Sequence, residues 1–185
     1  MSAPLPQKLD PWRAVHLGVA FVGSATLAQL PRLAAAVVGA DGPAQYALRF
    51  ERDEARQAVA LGQVSMAVRL ICQRCLKDVV YRLEAPIALA VVRATTGADG
   101  LGLVQTPEVA DHLDALPLGE EPINPLDLIE DELLLALPLV PMHGVGECQA
   151  ALSSGLTESA PTTEVAERLS PFAALATLKS KAKSL

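Results

Sequence analysis

The sequence predicts an α+β protein: an antiparallel, partly closed β-sheet with a few packed helices. Three observations carry this. Apolar residues alternate with period two between Tyr46 and Val92, in runs separated by short polar turns. Helical spacing with capping residues appears on either side of that stretch. Hydrophobic residues make up 51% of the 185-residue chain but aromatics only 3%, so Leu, Val, Ile and Ala must fill the core of what fits a single domain.

The elements follow in order. Lys8 to Arg13 reads as an extended lead-in, with Pro11 limiting helix. Leu17, Val19 and Phe21 alternate as in a strand, and Gly23-Ser24 turns the chain. Leu27, Leu30, Leu33, Ala34 and Val37 have helical spacing, and Pro31 divides that stretch into a turn and a short helix. Tyr46, Leu48 and Phe50 form the next strand, Arg52 to Gln57 a hairpin connection, and Val64, Met66, Val68 and Leu70 the return. Val79 to Val92 is a long strand. Pro86 within it lacks a ladder donor and marks an edge position or a bulge.

Leu103 to Val109 reads as a further strand, and Asp111 to Glu121 as an acidic connection. A helix then starts at Asn124, a capping residue, with Pro125 in its first turn and Asp127 near the positive end of the dipole. Leu126, Ile129, Leu133 and Leu137 make its apolar stripe. Glu130 and Asp131 fall off the stripe and are expected to face solvent or a partner. Pro138 stops the helix. Three regions result: an α+β domain over residues 1–148, a flexible Ser-, Thr-, Ala- and Glu-rich linker over 149–169, and a C-terminal helix with a lysine-rich tail over 170–185.

The residues with the most chemistry are Cys72-Gln73-Arg74-Cys75, a knuckle between two strand patterns. Two thiolates separated by two residues can reach one ion, because the chain turns tightly beneath them. A second half is available in His143 and Cys148, separated by four residues in a glycine-containing loop just past the helix. Cys72, Cys75, His143 and Cys148 would complete a Cys₃His set, with zinc as the expected metal. Reduced thiols that merely pack are the plain alternative. Arg69, Arg74, Lys77 and Arg82 surround the knuckle as a local basic patch, suited to phosphates or an acidic partner, although each taken singly reads as ordinary strand-surface charge.

Several classes are disfavoured. The net charge of −6 is opposite to that of a protein that tracks phosphates over its whole surface, so any RNA contact must be local. There is no Gly-x-Ser-x-Gly elbow and no phosphate-binding glycine loop, and no small-molecule substrate is evident. No apolar run reaches the ~20 residues of a membrane span. Three cysteines and no signal-peptide pattern are expected of reduced thiols in the cytoplasm.

Three segments in order, Leu70 to Leu76, Leu126 to Pro138 and Pro171 to Lys179, resemble the YceD family, the large ribosomal RNA subunit accumulation proteins. Leu9-Asp10-Pro11 and Pro141-x-His143 with Cys148 also fit. The resemblance implies a non-enzymatic ribosome-biogenesis factor, supporting synthesis, processing or stability of 23S rRNA by binding. It implies large-subunit assembly intermediates, 23S rRNA or ribosomal and assembly proteins, as partners. The alternatives are a zinc-stabilised interaction module unrelated to ribosomes and a thiol oxidoreductase.

Overall fold

The computed structural model describes residues 5–96, 104–105, 109–119 and 121–148. The chain divides into two units, Met1–Gln149 and Ala150–Leu185, and all described residues belong to the first. The expected linker over 149–169 and helix over 170–185 lie outside the described residues.

Helix α1 (Pro11–Leu17) occupies part of the segment expected to be extended. Pro11 takes the first helical position, where a missing N–H is harmless, and the Asp10 carboxylate accepts the Arg13 N–H at 3.1 Å. Gly18, at φ 62°, ends the helix in the left-handed region that glycine enters freely. The first strand therefore starts only at Ala20. A 3-10 turn (Leu27–Gln29) and α2 (Pro31–Ala36) are the turn and the short helix that periodicity marks.

The main sheet has six strands. β1 (Ala20–Ala25), β3 (Ala44–Arg52), β4 (Ala58–Ile71), β5 (Asp78–Arg93) and β8 (Asp114–Leu118) lie side by side in that order. β2 (Gly39–Ala40) pairs with β4 at Val68 and Arg69, beyond the end of β3. The sheet is mixed and open, not antiparallel and partly closed as expected. β1 and β8 are its two edges, and β8 runs parallel to β5, with Leu89 opposite Asp114 and Arg93 opposite Leu118. The chain leaves β5, forms the small antiparallel pair β6 (Thr95–Thr96) and β7 (Val104–Gln105), and returns in the same direction as before. Thus β8 occupies the middle of the segment read as an acidic connection. Pro86 sits opposite Gln63. Because β8 reaches only Leu89–Arg93, the other flank of β5 at Pro86 pairs with no strand among the described residues, as the edge reading requires.

The three α-helices among the described residues pack on one face. Phe21, Tyr46, Leu48, Phe50, Val64, Met66, Val68, Leu83 and Ile87 point inward against Ala14 and Val15 of α1, Leu33 of α2, and Leu128, Ile129 and Leu133 of α3 (Pro125–Leu135). Phe21 and Phe50 meet edge to face at 6.5 Å. On the opposite face a smaller cluster of Val59, Ala90, Val92 and Leu113 closes one end. Gly62 lies where β3 and β4 press together. A Cβ there would overlap the Ala47 carbonyl oxygen and approach the Leu48 Cα to 3.0 Å.

Glu130 contradicts its expected solvent position: it is 2% exposed. One carboxylate oxygen accepts the backbone N–H groups of Arg32 at 2.7 Å and Leu33 at 3.0 Å, and the other accepts the Arg32 Nε at 2.7 Å. The N-cap of α2 is Leu30, whose side chain cannot cap. A carboxylate from α3 supplies that function across the fold. Asp131 is half-exposed and also meets Arg32. Burial, with Asp114 and Asp131 nearby, pushes the Glu132 carboxyl up. An acid whose folded pKa is raised gains stability as pH falls through that value and loses it above. Glu132→Gln is therefore expected to maintain or raise the melting temperature at pH 7. A loss of several degrees in a thermal melt would reject this account.

Candidate metal centre

The longest hairpin of the sheet, β4–β5, carries the knuckle at its tip. The ladder ends at the pair Ile71–Asp78, and the intervening residues turn tightly. The Cys72 N–H donates to the Lys77 carbonyl and the Leu76 N–H to the Cys72 carbonyl, both at 2.9 Å. Leu76 closes the turn at φ 58°, a left-handed conformation that costs a residue with a Cβ about 1–2 kcal/mol. This strained residue is also 74% exposed, so packing does not hold it there. The conformation sets the following backbone, whose Lys77 N–H is directed at the Cys75 sulfur.

The second half arrives from α3. The helix ends at Leu135 with Ala136 as its C-cap, and the chain runs back along the hairpin tip. Three groups hold it there. The Gln73 N–H donates to the Pro141 carbonyl at 2.8 Å. The Tyr81 hydroxyl donates to the Met142 carbonyl at 2.7 Å and accepts the Met142 N–H at 2.8 Å. Arg74 Nη2 donates to the carbonyls of His143 and Gly144 at 3.1 and 3.2 Å. Sequence reasoning missed Tyr81. Its signal is a phenol on the inward-facing register of β5, where a hydroxyl needs a partner.

These contacts bring Cys72, Cys75, His143 and Cys148 together, with their sulfur and nitrogen donors all within 4.8 Å of one another. Cys72 and Cys148 are buried and their sulfurs lie 3.7 Å apart. His143 Nδ1 lies 3.4 Å from the Cys75 sulfur and 3.6 Å from that of Cys148. Burial alone would push the Cys72 thiol up. The N–H groups of Cys75, His143 and Arg74, together with the His143 side chain, outweigh it and bring that thiol down to about 5. For Cys75 the Lys77 N–H pulls down, but burial and the neighbouring sulfurs of Cys148 and Cys72 leave it raised.

The basic residues separate into two kinds. Arg69 and Arg82 project from the helix-free face of the sheet. Arg69 stands opposite Val80 and Arg82 opposite Ala67, so the two are diagonal neighbours. Arg69 lies 3.5 Å from Asp41. Arg82 and Lys77 are exposed and join no ion pair among the described residues. Arg74 is instead bound into the knuckle, beside the Cys148 sulfur. A thiol oxidoreductase would need a reachable thiolate at a helix N-terminus. Cys72 is fully buried in a turn between two strands.

The model of one protein family, the large ribosomal RNA subunit accumulation protein YceD, matches residues 60–179. That span includes the knuckle, α3 and the returning segment. A protein of Haemophilus influenzae named large ribosomal RNA subunit accumulation protein YceD is 36% identical over 177 residues, covering 96% of this chain and 97% of the relative. No solved structure matches the chain. With both the family model and a full-length relative aligned through the knuckle and α3, the chain belongs to the YceD family of large ribosomal RNA subunit accumulation proteins.

Proposed function

We propose that this protein supports accumulation of 23S rRNA during large-subunit assembly, acting in the cytoplasm by binding rather than by catalysis. The observation that carries the reading is the 36% identity to a protein of that name across nearly the full length of both chains. The geometry supports a contact surface over a reaction centre. The buried carboxylate of Glu130 is consumed as a cap for α2. The shallow groove of ≈ 600 Å³ on the helix-free face is open, with Gln45, Gln63, Ser65 and Glu84 among its walls.

In this reading Arg69, Arg82 and Lys77 meet rRNA phosphates or an acidic assembly protein. Phosphate contacts are local because the whole chain carries −6. Arg74 holds the returning segment and contributes indirectly. The double variant Arg69→Glu with Arg82→Glu is expected to lower the 23S-to-16S ratio toward that of a deletion strain, without changing the melting temperature. An unchanged ratio with the double variant rejects this surface, and an unchanged ratio in the deletion strain rejects the function. The exposed Leu76, Leu139 and Val145 beside the knuckle favour a second reading, a metal-stabilised protein-interaction module. Co-sedimentation separates the two: only the first expects large-subunit precursors to carry the protein.

A further inference from the structure

We propose that Cys72, Cys75, Cys148 and the Nδ1 of His143 bind one zinc ion in a closed, structural site. The first argument is metric. A zinc–sulfur bond of ≈ 2.3 Å and a zinc–nitrogen bond of ≈ 2.0–2.1 Å place sulfurs of a tetrahedron roughly 3.8 Å apart and sulfur and nitrogen roughly 3.5 Å apart. The Cys72–Cys148 separation is 3.7 Å, and the two sulfur–nitrogen separations are 3.4 and 3.6 Å. These are edges of a tetrahedron with room for an ion at its centre. A disulfide needs ≈ 2.05 Å and would use only two of the three sulfurs.

The second argument is the state of the imidazole. His143 Nε2 lies 3.0 Å from the Asp78 carbonyl oxygen, which can only accept. Nε2 therefore carries the proton, and Nδ1 turns its lone pair toward the sulfurs. A ring held by a backbone carbonyl on one nitrogen and open to a metal on the other is the usual outer-shell arrangement of a metal-bound histidine. The third argument is charge. Zinc with three thiolates and a neutral imidazole carries a net charge of −1. Arg74, held against the Cys148 sulfur and near those of Cys72 and Cys75, supplies the compensating charge. Three thiols that merely packed would have no use for a guanidinium and an imidazole lone pair beside them.

All four positions are taken by protein, so no position is open for water or substrate, and the ion acts as a clamp. It fastens the returning segment to the tip of β4–β5, two parts of the chain otherwise joined by the hydrogen bonds of Gln73, Arg74, Tyr81 and His143. The inference does not depend on the rRNA role.

The test is metal analysis of the full chain, purified under reducing conditions and dialysed against buffer with trace zinc. One zinc per chain is expected, with all three thiols unreactive toward a disulfide reagent until a strong chelator is added. Exchange into cobalt(II) is expected to give the visible bands of a tetrahedral thiolate complex. His143→Ala should weaken zinc binding beyond the roughly 10–100-fold typical of an outer-shell change. His143→Cys supplies a fourth thiolate and should retain one zinc per chain. Folded wild-type protein that takes up no stoichiometric zinc and shows three freely titrating thiols would overturn the proposal. So would a folded His143→Ala variant that binds zinc as tightly as wild type. Cys72→Ser puts a hydroxyl at a fully buried position and confounds folding with metal binding, so His143→Cys carries the decision: zinc retained supports the site, and a folded, zinc-free variant overturns it.

Discussion

Glu130→Ala is expected to lower the unfolding free energy by about 3 kcal/mol, measured by urea denaturation. The side chain is buried, and two backbone N–H groups of α2 depend on it. Each buried donor left without a partner costs roughly 1–3 kcal/mol. Water can reach the Arg32 guanidinium, which is half-exposed, so losing that ion pair adds only about 1 kcal/mol or less. Two further variants apportion the effect. Glu130→Gln keeps a carbonyl oxygen for the N–H groups and should retain roughly half of the stability lost in Glu130→Ala. Arg32→Ala should cost about 1 kcal/mol. A Glu130→Ala protein within about 0.5 kcal/mol of wild type would show that α2 is capped otherwise.

Gly62→Ala is expected to be the second large effect, at roughly 3 kcal/mol or more. The added methyl would meet the backbone of Ala47 and Leu48, which cannot rotate away as a flexible side chain can. The β3–β4 ladder must separate there, and amide exchange in β3 should rise selectively. Gly119→Ala is the control, since its Cβ would meet only the Glu121 nitrogen at 4.0 Å. It should stay within about 0.5 kcal/mol of wild type. Equal losses in both glycine variants would attribute the effect to generic backbone entropy instead of a close approach of strands.

Legibility in the sequence follows the range of the interaction. The β3–β4–β5 meander was readable because its signal is local: alternation at Tyr46, Leu48 and Phe50 and at Val64, Met66, Val68 and Leu70 marks the inward residues directly. The start of α3 was readable because Asn124 caps the Leu126 N–H through its own side chain. The start of α1 was also written locally, in Asp10-Pro11, but Pro11 was weighed as a breaker when it stands at a first helical position. β8 was hidden because Asp114 and Pro117 read as loop residues, and only pairing with β5 makes Asp114–Leu118 a strand. Glu130 was hidden for a related reason. Its partners are backbone groups 97 and 98 residues away, and no pattern around it reports them. The cysteine and histidine spacings pointed to the tetrad without reporting that Arg74 and Tyr81 hold its second half in place.

The wide separation of the tetrad along the chain has a consequence for the order of events during synthesis. Cys72 leaves the translating ribosome 76 residues ahead of Cys148, with Cys75 close behind it. At roughly 5–20 residues per second that interval is on the order of 4–15 s. Through it the hairpin tip presents two thiols without their partners, and His143 and Cys148 join them only once the segment after α3 has emerged. A four-ligand site is therefore among the last features of Met1–Gln149 to be completed, and occupancy by metal would mark a finished first unit.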